Sequence, residues 1–136
     1  MLTSVLRKRK RGAALSRRTP LPGRSVRGSA TGRPIMALLD LLGRRWTLRI
    51  LWELRTGTPT FRQLQQRCDA VSSSVLSARL RELGEAGIVA HDGSGYALTS
   101  AGRDLLARLL PLHDWAERWQ PTVGNPAGGD PPGAAS

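Results

Sequence analysis

The chain has little of what most catalytic and metal-binding proteins use: one cysteine and two histidines in 136 residues. A single Cys68 excludes an intrachain disulfide and a cysteine-rich zinc site. His91 and His113 lie too far apart in sequence to form a local metal motif. No metal and no cofactor are therefore expected. No nucleophile–base arrangement, paired carboxylates in a pocket pattern or phosphate-cradling glycine loop is present, so an enzyme is not expected. Thr56-Gly57-Thr58-Pro59 is a turn. No apolar run is long enough to cross a bilayer. Residues 1–11 are basic but lack the apolar stretch of a secretory signal. A cytoplasmic protein of bacterial character, with no membrane partner, is the expectation.

Acidic residues are missing from the first 34 positions, which hold ten Lys and Arg. Residues 35–120 hold eleven basic and nine acidic side chains, so the net charge of +11 describes a cationic arm on a nearly balanced domain. Such a balance favours a polyanionic partner, most simply nucleic acid. Residues 1–33 mix Arg, Gly, Ser and Pro without apolar periodicity and are expected to form a disordered basic arm. Residues 121–136, rich in Pro and Gly, are expected to form a flexible tail. Met36 stands at the domain edge, which leaves open a start downstream of Met1. Residues 34–120 carry the leucine pattern and all four tryptophans, enough for one domain.

Within that domain the apolar spacing is mostly helical. Ile35, Leu38, Leu39 and Leu42 predict an amphipathic helix that stops at Gly43. Trp46, Ile50, Leu51 and Leu54 predict a second, ending near Gly57, after which Thr58-Pro59-Thr60 could supply a very short strand. Phe61, Leu64 and Cys68 mark a third, short helix. Asp69-Ala70-Val71 is a turn, Ser72 an N-cap, and Val75, Leu76, Leu80 and Leu83 the inner side of a fourth helix closed by Gly87. Two short apolar runs around Asp92-Gly93-Ser94-Gly95 predict a β-hairpin. Thr99 or Ser100 caps a last helix, in which Pro111 is expected to make a kink. The order is that of a mainly α winged helix-turn-helix with a two-stranded wing.

In such a unit one helix braces the next, whose outward side enters the DNA major groove. Residues 61–67 would brace and residues 72–86 would read. Ser72, Ser73, Ser74, Ser77, Ala78, Arg79 and Arg81 are the candidate reading residues, with Arg79 on the flank; the alternative is the solvated side of an ordinary surface helix. Small side chains allow close approach, and hydroxyls and guanidinium groups can bond bases or phosphates. Arg62 and Gln63 open the bracing helix, whose amides suit a phosphate. His91 and Ser94 flank and form the wing tip, which carries no cation, so weak wing contacts are expected. Leu109, Leu112, Trp115 and Trp119 form an apolar stripe too large for a lone helix to hide; it either pairs two copies or packs into the protomer's own core.

Several stretches together resemble HxlR-type regulators. Leu39-Asp40-Leu41-Leu42-Gly43-Arg44-Arg45-Trp46-Thr47-Leu48 is similar to the family's opening, and Phe61-Arg62-Gln63-Leu64 to its "RFxEL" stretch. Residues 72–89 resemble its "SxxVLxxRLRELxxxGLV" segment, and Tyr96-Ala97-Leu98-Thr99 with Gly102 its "YxLTxxG" segment. The resemblance implies a sequence-specific transcriptional regulator that binds double-stranded DNA at a promoter-proximal operator as a homodimer. It implies pairing through the first and last helices, here Leu38, Leu39, Leu42, Leu109, Leu112, Trp115 and Trp119, and response to a small-molecule effector. Where relatives often carry a sensing cysteine just before the proline, this chain has Arg33-Pro34, and its wing is shorter. The competing expectations are a winged-helix protein-interaction module and a non-specific basic DNA-binding protein.

Overall fold

The computed structural model describes residues 18–121. Its elements are α1 (Pro34–Leu42), α2 (Thr47–Glu53), α3 (Phe61–Arg67), α4 (Ser73–Glu85), β1 (Val89–His91), β2 (Tyr96–Leu98) and α5 (Ser100–Arg118). This is the predicted order. Among the described residues, no helix is long and apolar enough to cross a membrane.

Local chemistry explains the boundaries. Pro34 opens α1, where its missing N–H is one of the donors a helix start leaves unpaired anyway. Thr60 and Gln63 form a reciprocal capping box at α3: the Thr60 hydroxyl accepts from Gln63 N, and Gln63 Oε1 accepts from Thr60 N. Ser72 caps α4 by accepting from Val75 N, as the sequence predicted. Thr99 opens α5: its Oγ1 accepts from Gly102 N and donates to Gly87 O. The second helix is shorter than predicted at both ends: Trp46 takes a left-handed φ of 76° and becomes its N-cap, and Leu54 is already its C-cap.

The core is built from α1 to α4 and the hairpin. Leu41 and Leu42 of α1, Ile50 and Leu51 of α2, Leu64 of α3, and Leu76, Leu80 and Leu83 of α4 are buried with Cys68, Val71, Ile88, Val89 and Leu98. β1 and β2 pair antiparallel, with Val89 opposite Leu98 and His91 opposite Tyr96. The anticipated strand at residues 58–60 does not form. Instead Tyr96 N donates a single hydrogen bond to Pro59 O, and a Cβ on Gly95 would lie 2.1 Å from Thr58 O, so only glycine fits there.

Two compact units divide the chain, one closing at Leu106 and one beginning at Ala107, so the boundary falls within α5. In the second unit α5 runs on through Pro111, and the indole rings of Trp115 and Trp119 stack with centroids 5.5 Å apart.

The chain before Pro34 departs from the expected disorder. Residues 18–33 form defined turns. Val26 and Ser29 bridge, Gly23 N donates to Gly32 O, Arg27 N donates to Asp40 Oδ2, and Arg44 Nη2 donates to Arg18 O. Thr19 is buried. Composition alone suggested an arm because it does not register hydrogen bonds to residues 40 and 44. The rest of the arm and nearly all of the expected tail lie outside the described residues.

Candidate nucleic-acid interface

The helix-turn-helix proper runs from Phe61 to Glu85. The turn between its helices needs two residues with positive φ, Asp69 at 57° and Ala70 at 60°. Neither is glycine, so external bonds must hold them. Arg49 of α2 supplies them: its guanidinium bonds Glu53 Oε2 at 2.9 Å, Asp69 Oδ2 at 3.1 Å and Arg67 O at 2.8 Å. The hydrogen bonds that Arg49 donates, to Glu53 first and then to Asp69, hold its pKa above the ordinary value. Gln65 Nε2 closes the other side by donating to Val71 O and Ser73 Oγ.

On α4 the two sides separate cleanly. Leu76, Leu80 and Leu83 face the core, while Ser74, Ser77 and Arg81 are exposed and Ala78 is half-buried. Positions 74, 77, 78 and 81 recur at helical spacing and share one side. The Arg81 side chain is 62% exposed and meets Glu85 only at 3.8 Å, a contact too long and too wet to immobilise it.

Arg79, an expected reading residue, is bonded within the protein. Its side chain is only 19% exposed. Its Nη1 bonds Glu82 Oε1 at 2.8 Å and its Nε donates to Arg45 O at 2.8 Å. Glu82, with a side chain only 3% exposed, also pairs with Arg44. The result is a part-buried Arg44–Glu82–Arg79 cluster that fastens α4 to the turn between α1 and α2. The i,i+3 spacing of Arg79 and Glu82 was a usable signal; Arg44, 38 residues away from Glu82, gave none.

The remaining candidates divide in the same way. Arg62 is exposed. The Gln63 side-chain oxygen and the Ser72 hydroxyl are occupied as caps, and Ser73 Oγ accepts from Gln65. On the wing, His91 is exposed, accepts from Gly93 N at Nδ1 and meets the Tyr96 ring edge-on at 4.6 Å. Ser94 donates both its hydroxyl (2.7 Å) and its amide (2.9 Å) to Asp92 Oδ1, which also accepts from Gly95 N. These donors, the Ser94 hydroxyl first, hold the Asp92 carboxyl below its usual range. The wing tip thus not only lacks a cation, as expected, but presents a fixed carboxylate.

Of the leucines anticipated at a pairing surface, Leu42 is buried within the protomer and Leu38 is half-buried, whereas Leu39 is 54% exposed. In the second unit Leu109 is half-buried, and Leu112, Trp115 and Trp119 are 59%, 52% and 60% exposed. Cys68 is fully buried at the end of α3, and burial pushes its thiol pKa up.

Comparison with known proteins agrees with this geometry. The family model for the HxlR-like helix-turn-helix matches residues 41–123. An uncharacterized HTH-type transcriptional regulator of Mycobacterium tuberculosis is 35% identical over 102 residues, covering 70% of this chain but only 64% of the relative's length. The Bacillus subtilis HTH-type transcriptional regulator YvaP is 32% identical, covering 60% of this chain and 82% of the relative. Among solved structures, quinone-bound YodB from B. subtilis superposes with a TM-score of 0.58 at 29% identity, covering 62% of this chain and 96% of YodB. The chain belongs to the HxlR-like helix-turn-helix family.

Proposed function

We propose that the protein acts in the cytoplasm as a homodimer, binds a two-fold operator close to a promoter, and reads it with Ser74, Ser77, Ala78 and Arg81. The observation that carries this reading is the division of α4 into a core-facing leucine side and an exposed side of small hydroxyls and one exposed guanidinium. Hydroxyls and small residues let the helix approach the bases, and Arg81 can bond guanine in a bidentate way. Arg62 contributes a phosphate contact, whereas Arg79 acts indirectly by fixing the angle of α4.

Dimerisation is supported by the exposed Leu112, Trp115 and Trp119. Pairing would cover aromatic surface that a monomer leaves in water. YodB, a relative solved with quinone bound, supports a small-molecule effector here too. The buried Cys68 speaks against a response through that thiol. No catalytic step is assigned.

The test is a footprint on DNA flanking the protein's own gene, together with a salt titration of the affinity. Protection of two half-sites about 34–36 Å apart is expected, with affinity falling steeply as salt rises. Uniform weak protection, or binding insensitive to salt, would contradict the proposal.

A further inference from the structure

A cleft of about 810 Å³ opens between residues 25–28, α1 and the turn that follows it. Its apolar wall is Val26, Met36 and Leu39. Its polar wall carries four arginines, 27, 44, 45 and 79, and the carboxylate of Asp40. Asp40 accepts from Arg27 N at 3.2 Å, and Arg44 and Arg79 are both paired with Glu82 behind them. Among the described residues, the side chains of Arg27 and Arg45 have no ion-pair partner.

The lip of the cleft is firmly built. A Cβ on Gly32 would lie 2.1 Å from Arg24 O, so the turn over residues 24–32 closes only with glycine there. Gly23 N then donates to Gly32 O at 2.9 Å, and Val26 exchanges hydrogen bonds with Ser29. Small-molecule sites combine this range of volume, an apolar wall and a few convergent polar groups.

We infer that this cleft binds an organic anion with an apolar body, its carboxylate held by Arg27 and Arg45 and its body lying on Met36 and Leu39. Two unpaired guanidinium groups beside an apolar wall favour such a ligand over a neutral one or an inorganic ion, which would leave either the charge or the wall unused. The cleft shares Arg79 with α4 and Arg44 with the cluster that anchors it. An anion drawing either arginine away from Glu82 would leave a buried carboxylate less compensated and loosen α4, so binding lowers affinity for DNA. That last consequence rests on the operator reading proposed above; the binding step does not.

Isothermal titration of the full-length protein with 2-naphthoate, and with the neutral 2-naphthamide as control, tests the site without DNA. One saturable naphthoate site per chain is expected, with naphthamide at least tenfold weaker. Arg27→Gln together with Arg45→Gln should weaken naphthoate at least tenfold, and lysine at both positions should restore part of the loss. Both side chains belong to exposed residues, and an unchanged thermal melt identifies a folded variant. Equal binding of acid and amide, an unaltered affinity in the glutamine variant, or no saturable binding because a second copy fills the cleft would each overturn the inference. If naphthoate binds as expected but operator affinity does not move, the site stands and its coupling to α4 falls.

Discussion

Three buried side chains make opposite demands on the same core. Glu82 is charged and nearly enclosed, yet it is met by two guanidinium groups, so removing it leaves Arg44 and Arg79 facing one another. Breaking a buried pair from one side costs roughly 3–5 kcal/mol, and Glu82→Ala should show a loss of that order in chemical denaturation. Thr47 is 1% exposed and its hydroxyl has no hydrogen-bond partner among the described residues. Thr47→Val keeps the shape and removes the unmet group, and should raise stability by about 1 kcal/mol in the same experiment. Cys68 is held neutral by burial. Its labelling by a thiol reagent at pH 8 should be slow in the native protein and rapid in denaturant; fast native labelling would show that the α3 end opens readily.

The elements show what the sequence made legible and what it hid. Helix positions, the Ser72 cap and the hairpin were readable because each depends on local spacing: leucines every three or four residues, a hydroxyl before a helix, glycines between two apolar runs. The role of Arg79 was half readable: Glu82 lies three residues on in the same helix, but Arg45 O comes within reach only once α4 packs on the preceding turn. Residues 18–33 were misjudged for the same reason. The wing was half legible: its shortness and lack of a cation were visible, but the hydrogen bonds that keep Asp92 charged were not. Because its pKa is depressed, Asp92 remains ionised above the ordinary carboxylate range and loses its charge only as pH falls below it. Asp92→Asn should therefore tighten binding to any duplex, by a factor that stays constant between pH 6 and 8. A gain that varied across this interval would indicate that another group near the tip is titrating.

At the scale of the whole molecule, the cations and the exposed tryptophans lie in different parts of the sequence. The cationic excess lies largely before residue 35, while the exposed tryptophans lie after Ala107. These two regions should serve separate steps. Replacing Trp115 and Trp119 by alanine should shift the protein from dimer to monomer in analytical ultracentrifugation. An unchanged dimer would place pairing elsewhere.

The most direct measurement is fluorescence anisotropy of the wild type and Arg81→Ala on the footprinted duplex and on a shuffled duplex, at one salt concentration. The wild type should prefer the footprinted sequence. Losing a bidentate base contact should reduce that preference by roughly 1–3 kcal/mol and leave shuffled-duplex affinity nearly unchanged. An Arg81→Ala protein with the full preference, or a wild type that binds both duplexes alike, would contradict the assignment of the exposed side of α4 as the reading surface.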